Sequence, residues 1–91
     1  MGVTPGSRDK VVEILLGDFT EMRSIGCEVY LVSVSETEPN WVWVTEVWTS
    51  KEAHGAALRL ESVRSSIKEA QPHLTGEFES IELSVVGGLG A

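Results

Sequence analysis

Cysteine is almost absent from this chain: Cys27 is the one thiol, so no disulfide can close within a single copy. It stands at the head of an apolar run and reads as a reduced, buried thiol. Basic residues are scarce as well. Seven lysines and arginines face fourteen aspartates and glutamates, a formal charge of −7, which opposes adsorption to nucleic acid or anionic membrane. Neither partner is expected. No stretch reaches the roughly 18 apolar residues of a membrane span, and no basic segment leads into an apolar core of signal-peptide type, so a cytoplasmic location is expected. Histidine is limited to His54 and His73, which with Cys27 show none of the close spacings of a structural zinc site. No metal is expected. Gly87-Gly-Leu-Gly opens no helix and so makes no phosphate loop, and no serine has an identifiable paired base.

What the chain does have is concentrated in Trp41-Val-Trp-Val-Thr-Glu-Val-Trp48, which holds all three tryptophans on a run of β-branched and aromatic types. Such a run favours a strand. Alternation puts Trp41, Trp43, Thr45 and Val47 on one face and Val42, Val44, Glu46 and Trp48 on the other. Both faces are largely apolar, so both ask for cover. Thr49 and Ser50 can each supply an N-cap oxygen; counted from Thr49, Glu52 takes the N3 place of a capping box, and Lys51 onward is helix-favouring. The reading is strand, cap, helix.

The rest of the chain is arranged around that stretch. Pro5-Gly6 is a turn, preceded only by a stub, Gly2-Val-Thr4. From about Ser7 to Ser24, Val11, Val12, Ile14, Leu15, Phe19 and Met22 recur at three- and four-residue spacings and predict an amphipathic helix, weakened at Gly17 and stopped at Gly26. Cys27–Ser35 predicts a second strand with Val29 and Leu31 on one face and Tyr30, Val32 and Val34 on the other. Glu36–Asn40 predicts a hairpin loop with Pro39-Asn40 as turn residues, so the two strands pair antiparallel. Lys51 to about Leu60 and Glu61 to Ala70 predict two helices, ended by Pro72. Glu77–Val86 predicts a last strand with Ile81, Leu83 and Val85 on one side, and residues 87–91 a loose tail.

That order predicts a single α+β domain over residues 1–91, a ferredoxin-like plait with helices on one face of a small antiparallel sheet. Helices can cover one sheet face only. The other is an apolar patch whose simplest closure is sheet against sheet in a homodimer.

Gly26-Cys-Glu-Val-Tyr30, Trp43-Val-Thr-Glu-Val-Trp-Thr-Ser-Lys-Glu-Ala-His54, Val63-Arg64 and Ala70-Gln-Pro-His73 together resemble the antibiotic biosynthesis monooxygenase domain family, with Glu46-Val-Trp48-x-Ser50 the most specific part. The resemblance spans nearly the whole chain. It implies a dimeric α+β barrel with a cavity between sheet and helices, in which several members oxygenate quinols, anthrones or tailored polyketides with dioxygen and no metal or flavin cofactor. The chain departs from the family pattern in three places. Its first strand is shortened to Gly2-Val-Thr4, which leaves no counterpart for an asparagine some members carry there. Nine residues after Trp48, where many members carry histidine and a heme-degrading branch tryptophan, it has Ala57. In its place stands His54, six residues after Trp48, as in a subgroup with an Ala-His pair.

Cofactor-free oxygenation needs a base, donors for a substrate anion and dry walls. His54 is the candidate base, because imidazole exchanges protons near neutrality. Glu46 can orient it or a substrate hydroxyl, and equally can make a structural hydrogen bond. Tyr30 and Trp48 are candidate stacking surfaces for an aromatic ligand, and Leu58, Val63 and Ile67 candidate walls. Two functions fit: a cofactor-independent monooxygenase acting on a quinol-like or polycyclic aromatic molecule, or a non-catalytic dimeric ligand-binding or stress-response module of the same fold. The first requires His54 or Glu46 to face the pocket; the second requires the pocket alone.

Overall fold

Cys27–Ser35 (β1) and Glu38–Trp48 (β2) pair antiparallel in a computed structural model that describes residues 1–90. Both strands are rich in valine, whose branched Cβ packs well on a pleated surface. Tyr30 stands opposite Glu46 and Val32 opposite Val44. The turn is tighter than the sequence predicts: it is Glu36-Thr37, and Pro39-Asn40 belong to β2. The register breaks between Ser33 and Ser35, opposite the longer stretch of β2 that includes Pro39. Such an irregularity accommodates a residue that cannot donate to the ladder.

The first helical region is two helices, Arg8–Leu15 (α1) and Thr20–Ser24 (α2), where periodicity alone predicts one. Asp18 accounts for the break. Its carboxylate accepts from the backbone N–H of Thr20 at 2.9 Å and from the Thr20 hydroxyl at 2.6 Å, a local turn that competes with the helix ladder. Those two bonds hold the Asp18 carboxyl below the usual carboxylate range. Gly26 ends the region with φ +122, and a side chain there would meet Thr49 and Ala53. Only glycine takes that conformation without strain.

Lys51–Ala57 (α3) and Glu61–Ala70 (α4) follow, with the break between them where the sequence places it. Ser50 is the N-cap of α3, its hydroxyl accepting from the Ala53 N–H at 3.0 Å. N3 is therefore Ala53, and the box counted from Thr49 does not form; the Thr49 N–H instead bonds the Gly26 carbonyl at 2.8 Å. Pro72 lies in a 3₁₀ turn, Gln71–His73, that closes α4.

Met1–Val3 lies along the far edge of β2. Gly2 bridges Trp41, and Val3 bridges Leu74. Val3, Val11 and Val42 form the fully buried core, with Met1, Val12, Leu15, Val32 and Leu74 packed around them. Fully burying such side chains contributes about 1.5–3 kcal/mol each, so the stub strand, α1 and β2 are held by one small cluster. Residues 77–90 take no regular secondary structure and are exposed throughout. The alternation read there as a strand reports amphipathicity, and only the start of the segment finds a pairing partner. The tail reading also includes Ala91, which lies outside the described residues. The architecture is a ferredoxin-like α+β plait, and no helix among the described residues is long and apolar enough to cross a membrane.

Candidate functional site

The face of β2 turned toward the helices carries Val42, Val44, Glu46 and Trp48. Val42 is buried under α1, and the remaining three line a cleft of about 510 Å³ between sheet and helices. Tyr30 adds to the same face from β1, Ile14 and Leu15 come from α1, and Met22 from α2. The opposite wall is built by α3 and α4.

The polar corner of the cleft is local in sequence. Glu46 and Trp48 are two apart on a strand and therefore share a face; Ser50 then caps α3 so that His54 lies on its first turns. The Trp48 indole N–H donates to Glu46 Oε1 at 3.2 Å. The same Oε1 lies 3.9 Å from Nε2 of His54, an ion pair when the imidazole is protonated. The Trp48 and His54 rings approach to 5.4 Å between centroids at an interplanar angle of 47°, within the range of favourable aromatic contacts. Glu46 is thus partnered and partly open to the cleft, not sealed in the core.

Tyr30 faces this corner across the hairpin and packs against Phe19, the ring centroids 5.1 Å apart and the planes tilted by 43°. Burial, with Glu46 and then Cys27 adding to it, pushes the Tyr30 phenol up to about 12. It stays a neutral donor over the whole physiological range. Burial, then the charge of Glu46, raises the Cys27 thiol, against an opposing hydrogen bond with the Val29 backbone, and Glu28 adds the smallest push upward. Cys27 is only half-buried, more open than a core thiol.

All seven residues singled out from sequence, Tyr30, Glu46, Trp48, His54, Leu58, Val63 and Ile67, line this one cleft. Leu58 and Ile67 are half exposed, so they stand at its rim. Sequence reading missed Met1, Phe19 and Phe78, which also line it. Phe19 was legible as part of the first apolar stripe. Phe78 was not, because nothing in its local pattern says that residues 77–78 turn back over the cleft. Trp41 and Trp43 lie on the other sheet face, their rings 5.7 Å apart between centroids and tilted by 57°. Among the described residues no three metal-ligating side chains come together.

A ferredoxin-like plait whose hairpin and helices enclose an apolar cleft with one polar corner defines the class of the protein. Within that class the chain belongs to the antibiotic biosynthesis monooxygenase family, whose family model matches residues 1–69. A crystal structure of a Chloroflexus aurantiacus J-10-fl protein, provisionally assigned as an antibiotic biosynthesis monooxygenase, superimposes with a TM-score of 0.89. The two are 39% identical over 99% of this chain and 90% of that one. No curated protein matches the chain. The family and this neighbour support a monooxygenase-type function in general terms.

Proposed function

We propose that the protein, read as one domain over residues 1–91 and acting as a cytoplasmic homodimer paired through the outer sheet face, is a cofactor-independent monooxygenase for a quinol-like or polycyclic aromatic small molecule. The observation that carries this reading is the Glu46 carboxylate, held by the Trp48 indole and set 3.9 Å from His54 Nε2 at the polar corner of an apolar cleft.

In this reading His54 takes a hydroxyl proton from the bound quinol, and Glu46 stabilises the imidazolium that forms. Tyr30, neutral and on the same face, donates to the resulting oxyanion. The apolar walls, including Leu58, Val63 and Ile67, keep the anion poorly hydrated and electron-rich. The anion passes an electron to dioxygen, and the radical pair combines to form a carbon–oxygen bond. Cleavage of the O–O bond leaves one oxygen on the ring and releases the other as water. A hydroquinone and dioxygen thus become a hydroxyquinone and water, with the substrate supplying all four electrons. Trp48 offers the stacking surface for the ring.

The test is dioxygen consumption by the purified protein against a panel of hydroquinones and anthrones, with heat-inactivated protein to subtract autoxidation. Uptake that requires folded protein and falls at least tenfold in His54→Ala is the expected result. Uptake unchanged by that substitution removes His54 as the base. Uptake no greater than autoxidation across the panel, with tryptophan fluorescence still quenched by the same compounds, replaces the enzyme with a ligand-binding module.

A further inference from the structure

The cleft is polar in a second place, across the gap from the corner where Glu46, Trp48 and His54 meet. Ser62 and Ser66 are four residues apart on α4, so they share one face of that helix, and both line the cleft. Ser66 is half-buried and Ser62 is exposed at the rim. Serine inside a helix commonly turns its hydroxyl back onto a carbonyl of the preceding turn, as Ser24 does on α2, where it donates to the Glu21 carbonyl at 2.7 Å. Among the described residues the Ser62 and Ser66 hydroxyls make no such bond. With Val63, Ile67 and Ala70 beside them, they are two free hydroxyls on an otherwise apolar wall.

The fixed charges of the lining are all of one sign. Asp18 and Glu46 line the cleft, and no lysine or arginine does. Arg8 is engaged by the Ser35 carbonyl at 2.9 Å and Lys51 by Glu82 at 3.6 Å. Arg23 lines only a small adjoining recess that shares Phe19 and Tyr30 with the cleft, and Glu28 lines that recess too. His54 can turn cationic, but its Nε2 lies 3.9 Å from the Glu46 carboxylate, so that charge is countered before a ligand arrives. A carboxylate, sulfonate or phosphate drawn into such a cleft loses its water and meets no unclaimed positive partner, which is costly. A hydroxyl or a ring carbonyl loses little if a serine bonds it. The net charge of −7 adds a field that repels anions on approach.

We propose that the cleft selects an uncharged hydroxyaromatic carrying a second neutral oxygen, a hydroxyl or ring carbonyl, at the edge away from His54, and that Ser62 and Ser66 are the specificity-determining residues that hold this oxygen. The inference rests on the reading of the cleft as a site for an aromatic quinol and adds what the rest of that substrate carries. A single negative charge then develops in the cleft, on the oxygen that gives its proton to His54, and it develops where Tyr30 donates. An acidic substituent would add a second charge to a lining that already holds Asp18 and Glu46. The second oxygen also orients the ligand. With one oxygen at the corner and the other on α4, a flat ring loses the freedom to turn over, and the same carbon is presented to dioxygen each time.

The test is equilibrium dialysis of the full chain under nitrogen, where no turnover occurs, against three probes of one ring system: naphthol, a naphthalenediol with its hydroxyls on opposite rings, and the hydroxynaphthoate in which a carboxylate replaces the second hydroxyl. The diol is expected to bind roughly fivefold more tightly than naphthol, and the hydroxynaphthoate at least about tenfold more weakly than the diol. The double substitution Ser62→Ala with Ser66→Ala brings the diol down to the affinity of naphthol and leaves naphthol unchanged; alanine favours the helix, so α4 stays formed. Ser62→Arg supplies the missing cation at the rim and raises hydroxynaphthoate above naphthol. Hydroxynaphthoate bound as tightly as the diol, a diol preference that survives the double substitution, no gain in Ser62→Arg, or no binding of any probe each overturns the inference. These preferences without oxygen uptake uphold it and remove the oxygenase reaction; oxygen uptake without these preferences does the reverse.

Discussion

Tyr30 and Glu46 stand directly opposite each other across the hairpin, on the face that looks into the cleft. The carboxylate is the second cause, after burial, of the phenol's high pKa. Tyr30 is the one tyrosine of the chain, so tyrosinate absorbance reports it alone. Titration of the folded protein is expected to show ionisation near 12, displaced from the ordinary value of about 10. In the unfolded chain the phenol ionises first, so the folded state holds the extra proton between these values. The stability linked to Tyr30 is full below about pH 10 and is lost as pH rises toward 12. Chemical denaturation across that window checks the sign.

Glu46→Gln keeps an acceptor for the Trp48 indole and removes the charge. The Tyr30 ionisation is expected to move down toward its ordinary value, and the Cys27 thiol, raised in part by the same charge, is expected to alkylate faster at neutral pH. Neither readout depends on catalysis. In the oxygen-uptake assay the same variant is expected to lose roughly tenfold or more in kcat, the imidazolium having lost its counter-charge.

Val42 is fully buried at the junction of β2, α1 and the stub strand. Val42→Ala removes two buried carbons and leaves a cavity where three elements meet, a loss of about 2–3 kcal/mol. Urea unfolding followed by tryptophan fluorescence measures it. A shift below 0.5 kcal/mol would mean that the cluster does not hold these elements together.

Ser50 and Thr49 separate two ways of starting α3. Because the Ser50 hydroxyl accepts from Ala53, Ser50→Ala is expected to cost about 1 kcal/mol. Thr49→Ala leaves the cap intact and is expected to stay within about 0.5 kcal/mol of the parent. The reverse order would restore the capping box that counts from Thr49.

Much of this arrangement is legible in the residues, for identifiable reasons. Both strands announce themselves because their branched side chains suit only a pleated surface, and the cleft residues follow because alternation on β2 places Glu46 beside Trp48. The break in the first helical region is not legible from periodicity, since Val11, Leu15, Phe19 and Met22 keep helical spacing across it while Asp18 makes a turn from its own side chain. The last segment misleads for a different reason. Residues 77–86 carry a strand's alternation, but a strand is defined by a neighbour, and past Glu77 the described residues offer none. Nor does the sequence say which face of β2 is covered, because both are apolar; the packing of Val42 beneath α1 decides it.

The polar corner Glu46, Trp48 and His54 is written into one continuous stretch, residues 46–54, that ends a strand and begins a helix. Its members approach through contacts two to eight residues apart, which require almost no loop closure and so form early and cheaply during folding. The cleft walls depend instead on the docking of α1, α4 and the chain termini, which are far apart along the chain. A partly folded molecule is therefore expected to possess its polar corner before it possesses an enclosed cleft, and the chemistry proposed for the site would have to wait for the slowest part of the domain to close.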